Sequence, residues 1–245
     1  RYFGQLATRK VAKNMIKAFW FQLNEIKAGA SRPKRVPPQE TKKVGVLGAG
    51  MMGHGIAYVT AVASMDVVLK DVTLAQAEAG KAKIARLLDK RVAQGKLSEE
   101  ERAAALARVM PTEDVADLAA CDLIIEAVFE DRALKAKVTQ EAEAVMGDTA
   151  PSAGSGQVVF ASNTSTLPIT GLAAQSKRPQ NFIGLHFFSP VERMKLVEII
   201  TGKETSSETL AKAFDFVLKI RKTPIVVNDS RGFYTSRVFA TYVKE

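Results

Sequence analysis

The stretch Lys43-Val44-Gly45-Val46-Leu47-Gly48-Ala49-Gly50-Met51-Met52-Gly53 constrains the fold more than any other part of the chain. An apolar run leads into glycines spaced G-x-G-x-x-G, and a helix-compatible run over 54–63 follows. A second apolar run, Val67-Val68-Leu69-Lys70, closes on Asp71. Strand, glycine turn, helix, strand and acid in that order form the dinucleotide-binding fingerprint. Gly48 lets the chain turn sharply off the strand, and Gly50 lets bare backbone approach a pyrophosphate. Gly53 leaves room for the helix to pack on the sheet. The helix N-terminus then offers unpaired N–H donors and a positive dipole end to phosphates. Asp71 accepts hydrogen bonds from an adenosine ribose and repels a 2′-phosphate, which favours NAD over NADP; Lys70 pulls the other way.

A chain of 245 residues can hold one large domain with attachments, and its 47% hydrophobic and 25% charged residues suit a water-soluble globular protein. Cys121 is the only cysteine, which excludes a disulfide framework and points to a reducing, cytoplasmic compartment. No apolar run approaches the length of a membrane span, and no metal site is expected. The chain starts with Arg1 rather than Met, as a fragment or processed product would. Its net charge of +9 looks like a nucleic-acid signal until it is located. Residues 1–38 hold nine Lys/Arg against the single acid Glu25, so the remaining chain carries only +1 and gives no argument for nucleic acid.

Residues 3–28 read as one amphipathic helix, with Leu6, Val11, Met15, Phe19, Leu23 and Ile26 on one side and Lys10, Lys13 and Lys17 on the other. The proline-punctuated linker Ser31-Arg32-Pro33-Lys34-Arg35-Val36-Pro37-Pro38 follows, which favours a connector packed on a neighbouring domain over a membrane-surface helix or transit peptide. Helices are expected over 73–95 and from Ser98, whose spacing to Glu101 is a capping box. Together they form a helical hairpin, and its Lys81, Lys83, Arg86, Lys90 and Arg91 face solvent or meet the phosphates of a large ligand. A short strand over 109–112 and a buried strand over 122–128 come next, then a helix over 131–146. A flexible loop over 147–156 leads to strands over 158–162, 182–187, 196–201 and 224–228. Between and after them lie helices near 168–174, over 206–219 and from 233 to 243. The β–α alternation predicts an α/β fold with a doubly wound Rossmann-type sheet.

In such sheets ligands bind beyond the carboxyl ends of the strands. Four polar residues leave strands there: Glu130, Ser165, His186 and Ser189. Glu198 follows on the next strand, and a carboxylate beside a histidine fixes its tautomer and stabilises the imidazolium. With a nicotinamide cofactor, His186 would take the proton of a substrate hydroxyl while the carbon below loses hydride, and Ser165 would hold the same oxygen. His54, the other histidine, reads as a hydrogen-bonded core residue on or beside the first helix turn.

Gly184-Leu185-His186-Phe187-Phe188-Ser189-Pro190 with Met194-Lys195-Leu196-Val197-Glu198-Ile199-Ile200 resembles the catalytic segment of the 3-hydroxyacyl-CoA dehydrogenases. Ala161-Ser162-Asn163-Thr164-Ser165-Thr166-Leu167 and Gly232-Phe233-Tyr234-Thr235-Ser236-Arg237 are similar to two further motifs of that family, and the likeness runs from about Lys42 to the chain end. The N-terminal Arg1-Tyr2-Phe3 helix and the linker resemble the connector in multifunctional fatty acid β-oxidation α-subunits, where an enoyl-CoA hydratase domain comes first. The resemblance implies oxidation of L-3-hydroxyacyl-CoA by NAD, with His186 as base, Glu198 as its partner and Ser165 as oxygen and cofactor contact. It assigns Met52, Asp71, Val128, Glu130, Lys135 and Ser189 to the cofactor and Ser236 to the substrate. Ser189 and Ser236 stand where many members have Asn, and Arg231 replaces a common proline. The implied organisation is connector 1–38, NAD-binding domain 39–230 and, from 231, the start of a helical C-terminal domain. The hydratase domain and most of that C-terminal domain are missing, and a thiolase subunit is a further implied partner. An inactive nucleotide-binding interaction protein on the same fold is the rival reading, and the Ser165, His186 and Glu198 constellation argues against it. A β-hydroxyacid dehydrogenase is a second rival, disfavoured because its base is normally a lysine.

Overall fold

The computed structural model describes residues 2–147 and 156–244, so the loop expected over 147–156 lies, apart from its two ends, outside the described residues. Two compact units are present, Arg1–Arg32 and Pro33–Glu245. The first is helical but is not the single helix that its periodicity predicts. It divides into α1 (Tyr2–Thr8), α2 (Lys10–Ile16), a π-helical stretch (Lys17–Gln22) and α3 (Leu23–Lys27). The break falls at Arg9, which is extended (φ −69°, ψ 153°). Just before it, the Thr8 hydroxyl donates back to the Gly4 carbonyl (2.9 Å), a local bond that competes with helix propagation.

The second unit is a doubly wound sheet. The glycine-rich stretch forms β1 (Lys43–Leu47), a turn and α4 (Met51–Val62). The helix starts three residues earlier than the sequence suggests, because Gly50 takes the extended N-cap conformation (φ −67°, ψ −158°) and the following glycine does not delay it. Next come β2 (Asp66–Lys70), the hairpin of α5 (Leu74–Ala93) and α6 (Glu99–Ala107), and β3 (Val109–Thr112). Ser98 and Glu101 form the expected capping box. A 3₁₀ turn (Val115–Ala120) leads to β4 (Leu123–Glu126) and α7 (Arg132–Val145). β4 is shorter than the apolar run around it, since Asp122 instead caps the backbone N–H groups of Lys42 (2.8 Å) and Lys43 (3.0 Å). The remaining elements are β5 (Val159–Ser162), α8 (Ile169–Ala173), β6 (Phe182–Phe187), β7 (Leu196–Thr201), α9 (Ser207–Lys219), β8 (Thr223–Asn228) and α10 (Thr235–Lys244).

The strand order is β3-β2-β1-β4-β5-β6-β7-β8. β1 to β6 are mutually parallel, and the strands, covered on both faces, are near-continuous apolar runs. β7 is antiparallel to β6, because the connection over 188–195 is shorter than the roughly one dozen residues a parallel crossover needs. Helix α9 then allows β8 to run parallel to β7. One core cluster contains Ile56, Ile84, Leu88, Phe214 and Phe216 of α4, α5 and α9; the other contains Ala142, Phe160, Ile169 and Phe182 with α7 and α8. Chain direction across the sheet reverses between β1 and β4, the switch point where such sheets open a crevice. Among the described residues no helix is long and apolar enough to cross a membrane.

The close approach of α4 to the sheet depends on Gly53. A Cβ there would stand 1.6 Å from the Gly48 carbonyl oxygen, a backbone atom that cannot rotate away. Gly53→Ala is expected to destabilise the domain by about 1–3 kcal/mol or more, measured as a lowered midpoint in thermal unfolding.

Candidate active site

The carboxyl ends of β1, β2 and β4 surround a cleft of about 580 Å³ lined by Gly48, Gly50, Met52, Asp71, Val128 and Phe129 among others. Gly48 has φ +92°, a left-handed conformation that glycine adopts without strain. A Cβ on Gly50 would meet nothing within 4 Å, so bare backbone there faces open space of the kind a pyrophosphate fills. Asp71 is fixed by the backbone: its Oδ2 accepts from Ala49 N–H (2.6 Å) and its Oδ1 from Val72 N–H (2.7 Å). The acid is thereby held against the glycine turn, where it lines the cleft. Lys70 also lines the cleft, and its ammonium reaches back to the Asp71 carbonyl (3.4 Å). His54 lies on the first turn of α4, with Nδ1 2.6 Å from the Gly50 carbonyl, but it is half-buried rather than a core residue, because that turn borders the crevice.

A buried polar network joins this cleft to the end of β5. Lys135 of α7 is fully buried, its ammonium 2.8 Å from Glu126 Oε1 and 3.2 Å from Glu130 Oε2. Glu126, also buried, accepts from Val128 N–H (2.8 Å) and from the Ser162 hydroxyl (2.7 Å). Glu130 accepts from the Thr164 hydroxyl (2.5 Å), Ser165 N–H (3.0 Å) and Thr166. Burial pushes the Glu130 carboxyl up, but Thr164, Lys135 and Ser165 together hold it below the usual carboxylate range. Lys135 therefore supports Glu130 from inside the domain, and the half-exposed Glu130 carboxylate orders the Ser165 turn. The Ser165 side chain itself is exposed beyond β5.

On β6 and β7 the antiparallel register sets His186 opposite Glu198. His186 Nδ1 lies 2.6 Å from Glu198 Oε2, and the ring packs on Phe188 and Phe233 with centroids at 4.4 Å and 6.0 Å. Glu198 is 0% exposed and also accepts from Tyr234 N–H (3.1 Å), Thr235 N–H (2.8 Å) and the Thr235 hydroxyl (2.9 Å). Burial raises its carboxyl, and the bonds from His186 and Thr235 outweigh that and keep it below the ordinary range. The carboxylate fixes the imidazole with its proton on Nδ1, which leaves Nε2 as a proton acceptor; among the described residues Nε2 has no hydrogen-bond partner. Ser189 is exposed on the turn after β6, and Ser236 is half-buried one residue beyond Thr235. Asn163 ties the two loop systems together, its Oδ1 accepting from Phe187 N–H (2.9 Å). Glu126, Asn163, Thr164 and Thr235 are parts of this arrangement that sequence reasoning did not single out. Glu126 was hidden inside an apolar strand run, and its only local signal is that it is an acid within one. Among the described residues no group of acidic, His and Cys side chains could hold a metal ion.

A glycine-turn crevice at a topological switch point, beside a buried His–carboxylate pair, defines a dinucleotide-dependent oxidoreductase site. The family profile described as 3-hydroxyacyl-CoA dehydrogenase, NAD binding domain, matches residues 43–230. The chain belongs to that family, and its cofactor is NAD. Among solved structures it is similar to (S)-3-hydroxybutyryl-CoA dehydrogenase PaaH1 from Ralstonia eutropha, at 39% identity and a TM-score of 0.79 over 83% of this chain and 69% of that one. It is similar to 3-hydroxybutyryl-CoA dehydrogenase from Escherichia coli K12 at 32% identity and a TM-score of 0.74, over 84% of this chain but 43% of that one. The dehydrogenase part of multifunctional enzyme 1 from C. elegans matches at 25% identity and a TM-score of 0.72, over 92% of this chain and 51% of that one.

Removing the charge of Lys135 would strand the buried Glu126 carboxylate. Lys135→Met is expected to cost roughly 3–5 kcal/mol of stability in denaturant unfolding, whereas Glu130→Gln should chiefly weaken NAD binding in calorimetry. Glu130 and Glu198 are both held below the ordinary carboxylate value of 4.5. Their contribution to stability is thus full above that value and is lost as pH falls through their lower folded values. Acid unfolding followed by circular dichroism should show Glu198→Gln losing less stability than the parent as pH drops below 4.5.

Proposed function

We propose that the chain is the cofactor-binding part of a multifunctional enzyme that oxidises L-3-hydroxyacyl-CoA to 3-oxoacyl-CoA in fatty acid β-oxidation. The observation that carries this reading is the 2.6 Å contact between buried His186 Nδ1 and Glu198, at the same sheet edge as the glycine cleft. His186 Nε2 accepts the proton of the 3-hydroxyl, and the imidazolium so formed is balanced by Glu198. Ser165 holds the reacting oxygen, and Ser189 and Ser236 donate short hydroxyl hydrogen bonds at the cofactor and substrate positions. When bound, NAD⁺ accepts the hydride released from C3. Gly48, Gly50 and Met52 hold the pyrophosphate end, with Gly53 keeping α4 close against the turn, Asp71 holds the ribose, and Val128 and Glu130, the latter backed by the buried Lys135, hold the inner half of the cleft.

A second cleft, of about 970 Å³, supports a CoA thioester over a simple hydroxy acid. It lies between the α5–α6 hairpin, the end of α4 and the loop after β6. Lys90, Arg91, Lys96, Lys195 and Arg221 line it against only two acids, Glu101 and Glu192, so its charge suits the phosphates of CoA. Residues 1–38 serve as a connector from a preceding hydratase domain, 39–230 as the NAD domain, and 231–245 as the start of a helical C-terminal domain. That domain would cover α10, where Val238, Phe239, Tyr242 and Val243 are exposed. A thiolase subunit is the partner that would take the 3-oxoacyl product, and a single, buried cysteine, Cys121, suits the cytoplasm.

In the complete enzyme His186→Gln should lower hydroxyacyl-CoA oxidation at least about 10²-fold, and a near-normal rate would contradict the assignment. The isolated fragment should bind NADH in fluorescence titration yet turn over acetoacetyl-CoA poorly, and brisk turnover would refute the need for the missing domain. Paired Lys90→Glu and Lys195→Glu substitutions should raise KM for CoA thioesters at least about tenfold while leaving short thioesters without the nucleotide unaffected.

A further inference from the structure

The Glu198 carboxylate is held as much by the start of α10 as by its own sheet. Gly232 and Phe233 have positive φ (73° and 49°), which turns the chain so that the next two N–H groups face the carboxylate. Tyr234 and Thr235 N–H occupy Oε1, and the Thr235 hydroxyl donates to Oε2 at 2.9 Å. Oε2 is the same oxygen that His186 Nδ1 contacts at 2.6 Å. One oxygen thus serves two donors, the ring and a hydroxyl.

We infer that Thr235 is a positioning residue for the reaction: its hydroxyl shares Oε2 with the imidazole and so sets how strongly and in what orientation Glu198 holds His186. The inference rests on the reading of His186 as the base. The chemistry needs only the hydroxyl, since Thr235 has no hydrogen bond to the histidine among the described residues and does not line the glycine cleft. A donor that draws charge from Oε2 weakens the bond from Nδ1, stabilises the carboxylate, and pins the pair in one rotamer. No other ionisable group intervenes among the described residues. The ring otherwise meets Phe188 and Phe233, and Glu198 otherwise meets two backbone N–H groups. The helix end adds its dipole on the favourable, anion-binding side.

Because the hydroxyl sits on the first residue of α10, any element that moves α10 would act on the dyad through this bond. That gives a physical route by which a domain packed on the exposed face of α10 can tune a base it never touches.

The chain has two histidines, so the test can be read directly by nuclear magnetic resonance. With ¹⁵N-histidine and ¹³C-glutamate labels, His54→Gln assigns the His186 Nδ1 proton and Glu198→Gln assigns the carboxyl carbon. Thr235→Val should move the Nδ1 proton downfield and raise the Glu198 titration midpoint by about one pH unit. Thr235→Ser should keep both at parent values. In the complete enzyme Thr235→Val should lower kcat about 3–10-fold with KM little changed, with Ser restoring it. If Val gives no folded spectrum, Thr235→Ala carries the same expectation. Unchanged spectra in the hydroxyl-free variant, or equal shifts with Ser and Val, would overturn the inference and leave the base intact. A near-normal rate for His186→Gln would overturn the base and leave the spectra free to show the Thr235 bond.

Discussion

One buried ammonium permits two carboxylates to stand at the carboxyl edge of a parallel sheet. Lys135 is fully buried, and Glu126 and Glu130 supply its counter-charge at 2.8 and 3.2 Å. Removing that counter-charge would leave the fully buried Glu126 unpaired, at a cost of about several kcal/mol, whereas the half-exposed Glu130 keeps its Thr164, Ser165 and Thr166 donors. The three groups fix α7 against β4, and through Ser162 and the Thr164–Thr166 turn they fix the end of β5. The cofactor side of the site is therefore preorganised by electrostatics, while the proton-transfer side is preorganised by strand register. The two meet through Asn163, which donates no charge but ties the β5 turn to β6.

The sheet was largely written in local patterns. Phe182–Phe187 and Leu196–Thr201 are strands with the bounds that their apolar runs suggest, and their short connection makes His186 face Glu198. Boundaries slipped where a side chain took up a tertiary task. Asp122 reads as the first residue of a strand, but its Oδ2 accepts from the backbone N–H groups of Lys42 and Lys43 at the start of β1. The last helix begins at Thr235 rather than at Phe233, since Gly232 and Phe233 take left-handed conformations in the turn that delivers the Tyr234 and Thr235 N–H groups to Glu198. Such partners are far apart in sequence, and no periodicity announces them. His186 and Glu198 could be found because their types are unusual on apolar strands. Thr235 could not, because a threonine near a helix start has many ordinary reasons to be there.

Charge shows the same division between average and arrangement. Outside residues 1–38 the chain carries almost no net charge, yet the fold gathers Lys90, Arg91, Lys96, Lys195 and Arg221 around one cleft. Those residues come from a helical hairpin, a β6–β7 loop and the end of α9, so their sum is visible only once the sheet has brought them together. A composition-level charge speaks to solubility and to non-specific attraction. It is silent about where a phosphate can rest.

Cys121 lies at the end of the turn before β4, with no exposed surface and its thiol pushed up to about 12. At neutral pH it is neither a nucleophile nor a target for peroxide, because the thiolate is the reactive form and is scarcely populated. Its sulfur is also the near neighbour of Gly45, 3.4 Å from where a Cβ would stand, in the centre of the first strand pair. A thiol reagent can therefore reach it when the 3₁₀ turn that ends at it lifts from the face of β1. The protein thus carries, in its single sulfhydryl, a reporter of the opening of the turn over 115–120, whose Val115 and Leu118 also line the cofactor cleft.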